Sequence, residues 1–248
     1  MKLFTIVTVT WNAASVIGPT LQSVYEQTCR DYEYIVVDGA STDATLQMVR
    51  DTGIEGTRIY SERDHGLYDA MNKAIGLAEG KYLIWLNAGD RFAAPDSLAR
   101  LAAHAEGSPG VIYGQTQLVN ATGTVVGMRH LTAPAVLTAD SFKQGMLVCH
   151  QAIVARRDLM PEYDLQYRFS ADYDWCIRVL KASESNVYIG DEPVISFLTD
   201  GLTEKYHKKS LFERFRIMCH HYGTLPTIAR HIGFIPRYLK RKSGVRTR

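Results

Sequence analysis

Over the first hundred residues, short β-prone apolar runs alternate with amphipathic helical patterns, and this alternation limits the fold more than any other feature. Residues 4–10 are a compact β-rich run, residues 34–37 (Tyr34-Ile35-Val36-Val37) end at Asp38, residues 57–61 form a third short run, and residues 82–86 (Tyr82-Leu83-Ile84-Trp85-Leu86) are apolar throughout and end at Asn87. Between them, residues 16–27 place Ile17, Leu21 and Val24 on one face. A turn at residues 39–43 offers Thr42 or Asp43 as the cap of a helix through Arg50. Residues 69–78 carry Met71, Ala74, Ile75 and Ala78 at helical spacing before Gly80, and residues 95–105 read as the next helix. Strands that are apolar on both faces and separated by helices predict an α/β fold, a mostly parallel sheet covered on both sides. Such sheets bind ligands at the carboxyl ends of their strands. Residues 10–12, 38–43, 62–65 and 87–90 are therefore expected on one rim.

The second half is less regular. Residues 110–113, 115–119 and 125–128 read as strands of a small antiparallel patch, residues 151–155 as a strand, and residues 187–190 and 193–198 as two short strands. Residues 172–182 form a helix with Trp175, Cys176, Val179 and Leu180 inward, and from about Ser210 the pattern is helical again. A chain of 248 residues suits one large domain. The charge divides it: residues 1–205 hold 17 Lys/Arg and 25 Asp/Glu, a net of −8, whereas residues 206–248 hold 11 Lys/Arg and the single acid Glu213, a net of +10. The expected organisation is a catalytic domain over 1–205 and basic amphipathic helices over 206–248. No apolar run approaches the roughly 18–20 residues that span a bilayer. The four cysteines, Cys29, Cys149, Cys176 and Cys219, match no zinc or redox spacing and are expected to be reduced, in a cytoplasmic protein.

The chemistry is carried by acids at element ends. Asp38 follows a buried strand, where a carboxylate can accept hydrogen bonds from a base or ribose or close a structural Asx-turn. Asn87-Ala88-Gly89-Asp90 follows the most apolar strand. Its oxygens are the hard donors that Mg²⁺ or Mn²⁺ prefers beside a diphosphate, and Gly89 lets a bulky group approach the backbone. Asp172 and Asp174 open an amphipathic helix whose dipole favours carboxylates, a position suited to a general base. Cys149-His150-Gln151 precedes a strand and can hold an acceptor phosphate or hydroxyl. There is no Gly-x-Gly-x-x-Gly after the first strand, no Gly-Lys-Ser/Thr loop and no Gly-x-Ser-x-Gly elbow. These absences disfavour dinucleotide-dependent oxidoreductases, P-loop NTPases and elbow-type hydrolases.

Six segments in order resemble the family 2 glycosyltransferases of GT-A fold: Ile6-Val7-Thr8-Val9-Thr10-Trp11-Asn12, residues 35–45 around Asp38-Gly39-Ala40-Ser41-Thr42-Asp43, residues 61–73 with Tyr68-Asp69-Ala70-Met71-Asn72-Lys73, Leu86-Asn87-Ala88-Gly89-Asp90, Cys149-His150-Gln151-Ala152, and Ala171-Asp172-Tyr173-Asp174. They span roughly residues 3–200, and their wording is similar to the bacterial colanic acid, capsule and O-antigen enzymes. The resemblance implies an inverting transfer from a nucleotide-diphospho-sugar, UDP-linked by preference, onto a polyprenyl-diphosphate-linked saccharide. A divalent cation, Mg²⁺ or Mn²⁺, would be held at Asp90. By the same resemblance Asp172 is the base. Thr10, Trp11, Asn12, Asp38 and Asn87 hold the donor nucleotide, Asp64 and Asp69 line its pocket, and His150, Gln151 and Asp174 stand on the acceptor side, Asp174 orienting the loop or helix. The chain departs from the family wording in three places: Asn87-Ala88-Gly89-Asp90 keeps one acid of an Asp-x-Asp-Asp pattern, Gly39 replaces a second acid, and Ala171 replaces a common Glu. Specificity is expected in the loops at 142–150 and 198–207.

The tail interleaves Lys208, Lys209, Arg214, Arg216, Arg230, Arg237, Lys240, Arg241 and Lys242 with Phe212, Phe215, Phe234, Ile235, Tyr238 and Leu239. A basic amphipathic helix of this kind suits the cytoplasmic face of the inner membrane, each basic residue near an anionic leaflet adding about 1 kcal/mol. No nucleic-acid motif is present. A nucleotidyltransferase, or a non-catalytic sugar-nucleotide-binding protein of the same fold, remain the alternatives.

Overall fold

A computed structural model describes residues 1–199 and 207–242, with side chains at 1–199 and 208–233. The expected specificity loop at 198–207 falls mostly outside the described residues. So do the side chains of Phe234, Ile235, Arg237, Tyr238, Leu239, Lys240, Arg241 and Lys242.

The chain runs β1 (Phe4–Thr10), α1 (Ile17–Tyr25), β2 (Tyr32–Asp38), α2 (Thr45–Asp51), β3 (Arg58–Ser61), α3 (Leu67–Leu77), β4 (Tyr82–Trp85), β5 (Arg91–Phe92), α4 (Ser97–Ala103), β6 (Val111–Val119), β7 (Val125–Met128), β8 (Ile153–Arg156), α5 (Ala171–Ala182), β9 (Asn186–Leu198), α6 (His207–Tyr222) and α7 (Thr224–Lys242). The strands join one sheet in the order β3-β2-β1-β4-β8-β6-β9-β5, with β7 on β6. β1, β2, β3 and β4 pair in parallel, as their apolar runs predict, and their register sets Thr10 beside Asp38 and Asp38 beside Ser61. The antiparallel strands continue this sheet: β8 pairs antiparallel with both β4 and β6.

Three local differences matter for the site. The stretch 151–155 is not all strand: residues His150–Ala152 make a 3-10 turn, and β8 starts at Ile153. His150 and Gln151 therefore sit at the head of the strand. The two short strands read at 187–190 and 193–198 are one strand, β9. Its register against β6 jumps from Tyr113–Tyr188 to Gln115–Pro193, so the residues between bulge out around Gly190, whose φ is +101°. α3 begins two residues earlier than its apolar spacing suggests, because Gly66 at φ +121° turns the chain directly into the helix.

The basic tail starts by folding back on the body. On α6, Ser210, Ile217 and Met218 are buried. The Glu213 carboxylate accepts hydrogen bonds from the backbone N–H of Arg168 (3.0 Å) and Phe169 (2.7 Å), and the Ser210 and Ser170 hydroxyls meet at 2.8 Å. The one acid of the tail thus ties α6 to the loop that enters α5. All four cysteines are free thiols. No helix of the described residues is long and apolar enough to cross a membrane.

Candidate active site

The carboxyl ends of β1, β2 and β4 form the expected rim. Thr10 closes β1 nearly buried, and its Oγ1 has no hydrogen-bond partner. Trp11 follows 68 % exposed, a large apolar surface left to water at the rim. Asn12 adopts φ +45°, which asparagine tolerates better than most residues. Its Oδ1 accepts from Thr42 N at 2.8 Å and its own N–H donates to Ser41 Oγ at 2.7 Å, joining the β1 and β2 loops. Asp38 is fully buried. It accepts from Ser41 N (2.9 Å), Ser41 Oγ and Ser61 Oγ (2.7 Å), so its carboxylate shapes the rim from within.

The structure gives a steric reason for Gly39. A Cβ at this position would stand 2.6 Å from Asp64 Oδ2 and 3.3 Å from Trp11 Cδ1. Asp64 occupies the space that a side chain at 39 would need, which brings Trp11, Gly39 and Asp64 together. Asp64 Oδ1 accepts from Gly66 N at 2.9 Å, and Asp69 Oδ2 accepts from His65 N at 3.0 Å. Lys73 reaches back to Glu62 (2.8 Å) and to the Arg63 carbonyl (3.1 Å), fixing the loop before α3.

The loop after β4 is held from two sides. Gly89, at φ +102°, donates its N–H to Thr20 Oγ1 at 2.9 Å, and a Cβ there would stand 2.8 Å from Leu198 Cδ2. Asp90 is 5 % exposed; its Oδ2 accepts from Gln151 Nε2 at 2.7 Å and its Oδ1 from Leu198 N at 3.1 Å. Burial pushes its carboxyl up to about 6, against the pull of those two donors and of His150. Asn87 Oδ1 is buried without a partner.

Asp172, in the first turn of α5, faces the same region across α3. Tyr68 Oη donates to its Oδ1 at 3.0 Å, and His150 Nδ1 stands 3.5 Å from its Oδ2. Burial disfavours its charge, but the hydrogen bond and charge of His150, the charge of Arg214 and the Tyr68 hydroxyl outweigh that and hold the carboxyl below the ordinary carboxylate range. Beneath it Tyr68 stacks on Tyr163 (5.3 Å between centroids), Tyr163 on Trp175 (5.4 Å), and Trp85 meets both Tyr163 and Trp175 edge-on. Asn72 holds the Tyr163 backbone with both ends of its amide, at 2.7 and 3.0 Å. Within Tyr68-Asp69-Ala70-Met71-Asn72-Lys73, then, each polar side chain fastens a different neighbour while Ala70 and Met71 fill the core.

Asp174 points elsewhere. Two residues along a helix rotate by about 200°, so Asp174 lies on the opposite side of α5 from Asp172. There it meets Arg178 Nε (2.6 Å) and His221 Nε2 of α6 (2.6 Å). It couples α5 to α6.

Consecutive residues therefore clasp the two site acids: His150 lies on Asp172 and Gln151 on Asp90. Sequence reading set both on the acceptor side and did not anticipate this bridge, nor Tyr68 on Asp172, the Leu198 N–H on Asp90, or Arg214 and His221 from the tail. For the two tail residues the available signal was the period of α6, whose inward stripe of Ser210, Ile217 and Met218 also carries Arg214 and His221. Thr10 Oγ1, Asn87 Oδ1, His150 Nε2 and Arg214 Nε are all buried polar atoms without a protein partner. Such atoms are costly unless a ligand satisfies them. Among the described residues no three His, Cys, Asp or Glu side chains form a metal cluster. Asp90 and the orphaned Asn87 Oδ1 do supply two hard oxygens in one loop, which fits a magnesium-like ion bound through one or two protein oxygens and the phosphates of a substrate.

Comparison with known proteins agrees with this arrangement. Residues 5–163 match the family model described as Glycosyl transferase family 2. The chain is 37 % identical over 185 residues to a PGL/p-HBAD biosynthesis glycosyltransferase of Mycobacterium bovis, covering 71 % of this chain and 69 % of that one. Its fold is similar to the crystal structure of S. aureus TarS 1-349 in complex with UDP-GlcNAc (TM-score 0.70, 17 % identity, 94 % of this chain and 73 % of that one). It also resembles the mannosyltransferase PcManGT from Pyrobaculum calidifontis in complex with GDP-Man and Mn2+ (TM-score 0.59, 17 % identity, 95 % and 75 %). The parallel β1–β4 unit, the rim of buried acids at its carboxyl end and these relatives together make the chain a member of glycosyl transferase family 2.

Proposed function

We propose that this glycosyltransferase moves a sugar, with inversion, from a nucleotide-diphospho-sugar to a saccharide carried on a polyprenyl diphosphate, in the synthesis of a bacterial surface polysaccharide. One observation carries the proposal: Asp172 and Asp90 are clasped by the adjacent residues His150 and Gln151, yet their charges are treated in opposite ways. Asp172 is surrounded by Tyr68, His150 and Arg214, which favour its ionised form; Asp90 is buried where its charge is disfavoured. A base must be ionised before it can take a proton, whereas a buried carboxylate with a raised pKa is relieved by a cation.

On this reading the acceptor hydroxyl gives its proton to Asp172 as its oxygen attacks the anomeric carbon. The bond from that carbon to the β-phosphate oxygen breaks, and the nucleoside diphosphate leaves with the electron pair. Asp90 and Asn87 would hold the divalent ion, which when bound neutralises the departing diphosphate. Trp11, Thr10, Asn12 and the Gly39–Asp64 contact would flank the nucleoside, with Asp38 and Asp69 keeping their loops in shape. TarS binding UDP-GlcNAc and PcManGT binding GDP-Man with Mn2+ support this class of donor and ion. A UDP-sugar is our preferred donor, hexose or N-acetylhexosamine.

We further propose that α6 and α7 rest on an anionic leaflet at the cytoplasmic face. Leu225 (80 % exposed), Ile228 and Ile232 recur on one side of α7, Leu211 and Phe212 stand exposed on α6, and Lys208, Arg216 and Arg230 surround them in a region of net +10. Apolar side chains ringed by basic ones fit a surface of acidic headgroups.

The test of the chemistry is Asp172→Asn, assayed with a panel of UDP-, GDP- and dTDP-sugars. Transfer is expected to fall by at least about a thousandfold, in line with loss of a general base, with nucleotide binding retained. A variant that keeps wild-type turnover removes Asp172 from the reaction.

A further inference from the structure

α6 lies outside the stretch that matches the family model, yet one of its side chains packs over Tyr173, the neighbour of Asp172. The body-facing stripe of this helix runs through Ser210, Glu213, Arg214, Ile217, Met218 and His221. Ser210, Glu213 and His221 each have a polar partner on the body, and Ile217 and Met218 are in the core. Arg214 differs. Its Nε is buried without a hydrogen-bond partner, and no carboxylate lies within ion-pair distance of it among the described residues. Its guanidinium stands 5.8 Å from the centre of the Tyr173 ring, and its charge acts on Tyr68 and Asp172. Asp172 already has Tyr68 and His150 against its two oxygens. A half-buried guanidinium whose Nε is shut off from water with no partner gains most from an anion that joins it.

We propose that Arg214 binds a phosphate oxyanion of the acceptor, holding the acceptor hydroxyl against Asp172. This rests on the transferase reading above and assigns the acceptor subsite to α6. The side of the site is decided by neighbours. Asp90, on the donor side, is surrounded by Gln151, Leu198 and His150, while Arg214 acts on the α3–α5 side, where the base stands. Phe212 and Arg216, two residues to either side of Arg214 and so about 200° round the helix, are exposed on the opposite face. The guanidinium fork matches a phosphate in two parallel hydrogen bonds, a geometry lysine lacks.

Decyl diphosphate is the probe, its binding to the full chain measured by calorimetry with UDP and Mn²⁺ saturating. Arg214→Gln is expected to weaken binding by about tenfold or more, as loss of a charge-assisted hydrogen bond does, and Arg214→Lys to recover only part of it. Lys208→Gln, at an exposed position of α6 away from Arg214, is expected to change it by about twofold or less, in the range of an exposed charge. Circular dichroism and thermal melting verify that each variant is folded. Equal losses for Arg214→Gln and Lys208→Gln would mean general attraction to a basic surface and overturn the proposal. So would a parallel loss of UDP affinity in Arg214→Gln, which would move the residue to the donor diphosphate. Binding is read without turnover, so a failure of the transferase reading, seen as a wild-type protein inert toward every nucleotide sugar, stays distinguishable.

Discussion

Replacing Asp90 by Asn is expected to stabilise the ligand-free protein while destroying its use of a divalent ion. Asp90 is 5 % exposed and its carboxyl is pushed up to about 6 from an ordinary value of 3.8. That difference costs the folded state about 3 kcal/mol once the group is ionised. The sign follows from protons bound. Between about pH 4 and pH 6 the folded protein keeps a proton that the unfolded chain has released, so wild-type stability declines as pH rises across that window and levels off above it. Asn carries no such penalty but keeps only one acceptor. With its Oδ1 on Leu198 N, its Nδ2 faces Gln151, whose amide must turn over and give up its contact with the Cys149 thiol, at about 1 kcal/mol. The net gain is about 2 kcal/mol at pH 7.5, or about 4–8 °C in melting temperature for a chain of this length. Calorimetry from pH 4 to pH 8 without metal should show the gain growing with pH and vanishing near pH 4. Adding Mn²⁺ with a nucleoside diphosphate should raise the melting temperature of the wild type more than that of the variant. A variant less stable by the same amount at every pH would show that Asp90 is a structural acceptor of hydrogen bonds, and the reasoning would fail.

His150→Gln removes the largest favourable influence on the Asp172 charge, so the acid limb of the pH–rate profile should move upward from its position below the ordinary carboxylate range; an unmoved limb would separate His150 from the base. His221→Ala leaves buried Asp174 with Arg178 alone and should cost about 1–3 kcal/mol at neutral pH, read by denaturant titration. Burial opposes the Asp174 charge, but the His221 hydrogen bond and the Arg178 charge outweigh it and lower its pKa. Its stabilisation is therefore present above about pH 4 and lost as pH falls through the lowered value, and the cost of the variant should shrink there. Truncation after Gly223 should release the protein from vesicles of acidic phospholipid without unfolding it, since Ile217, Met218 and His221 remain; unchanged co-sedimentation would refute the membrane contact. Removing all of 206–248 would be a poor test, because it strips α6 from the core.

The first half of this fold was legible because its signals are local. An apolar run such as residues 82–86 must be a strand buried on both faces, and four such strands in alternation with helices leave one rim at their carboxyl ends. Gly80, expected to end the helix before that run, does not: α3 ends at Leu77 with Ala78 already extended, and Gly80 instead lets the chain pass against β1, where a Cβ would stand 2.6 Å from the Phe4 and Thr5 backbone. The acids at strand and helix ends, Asp38, Asp90 and Asp172, follow from the same logic, as does the basic amphipathic tail. Even the divergence of Asp172 and Asp174 is implicit in helical rotation. Periodicity does not carry the partner of a side chain far away in the chain. Tyr68 meets Asp172 across 104 residues and Gln151 meets Asp90 across 61, through the pairing of β4 with β8 and the packing of α3 and α5 above them. Asp64 fills the space beside Gly39 because two loops converge, which no composition reveals. The tail shows the division most clearly. Its charge and amphipathic pattern are properties of the sequence alone. That α6 turns one face into the body, carrying Arg214 to the Tyr173 ring and His221 to Asp174, was decided by tertiary packing, because the surface it covers is assembled from residues distant in sequence.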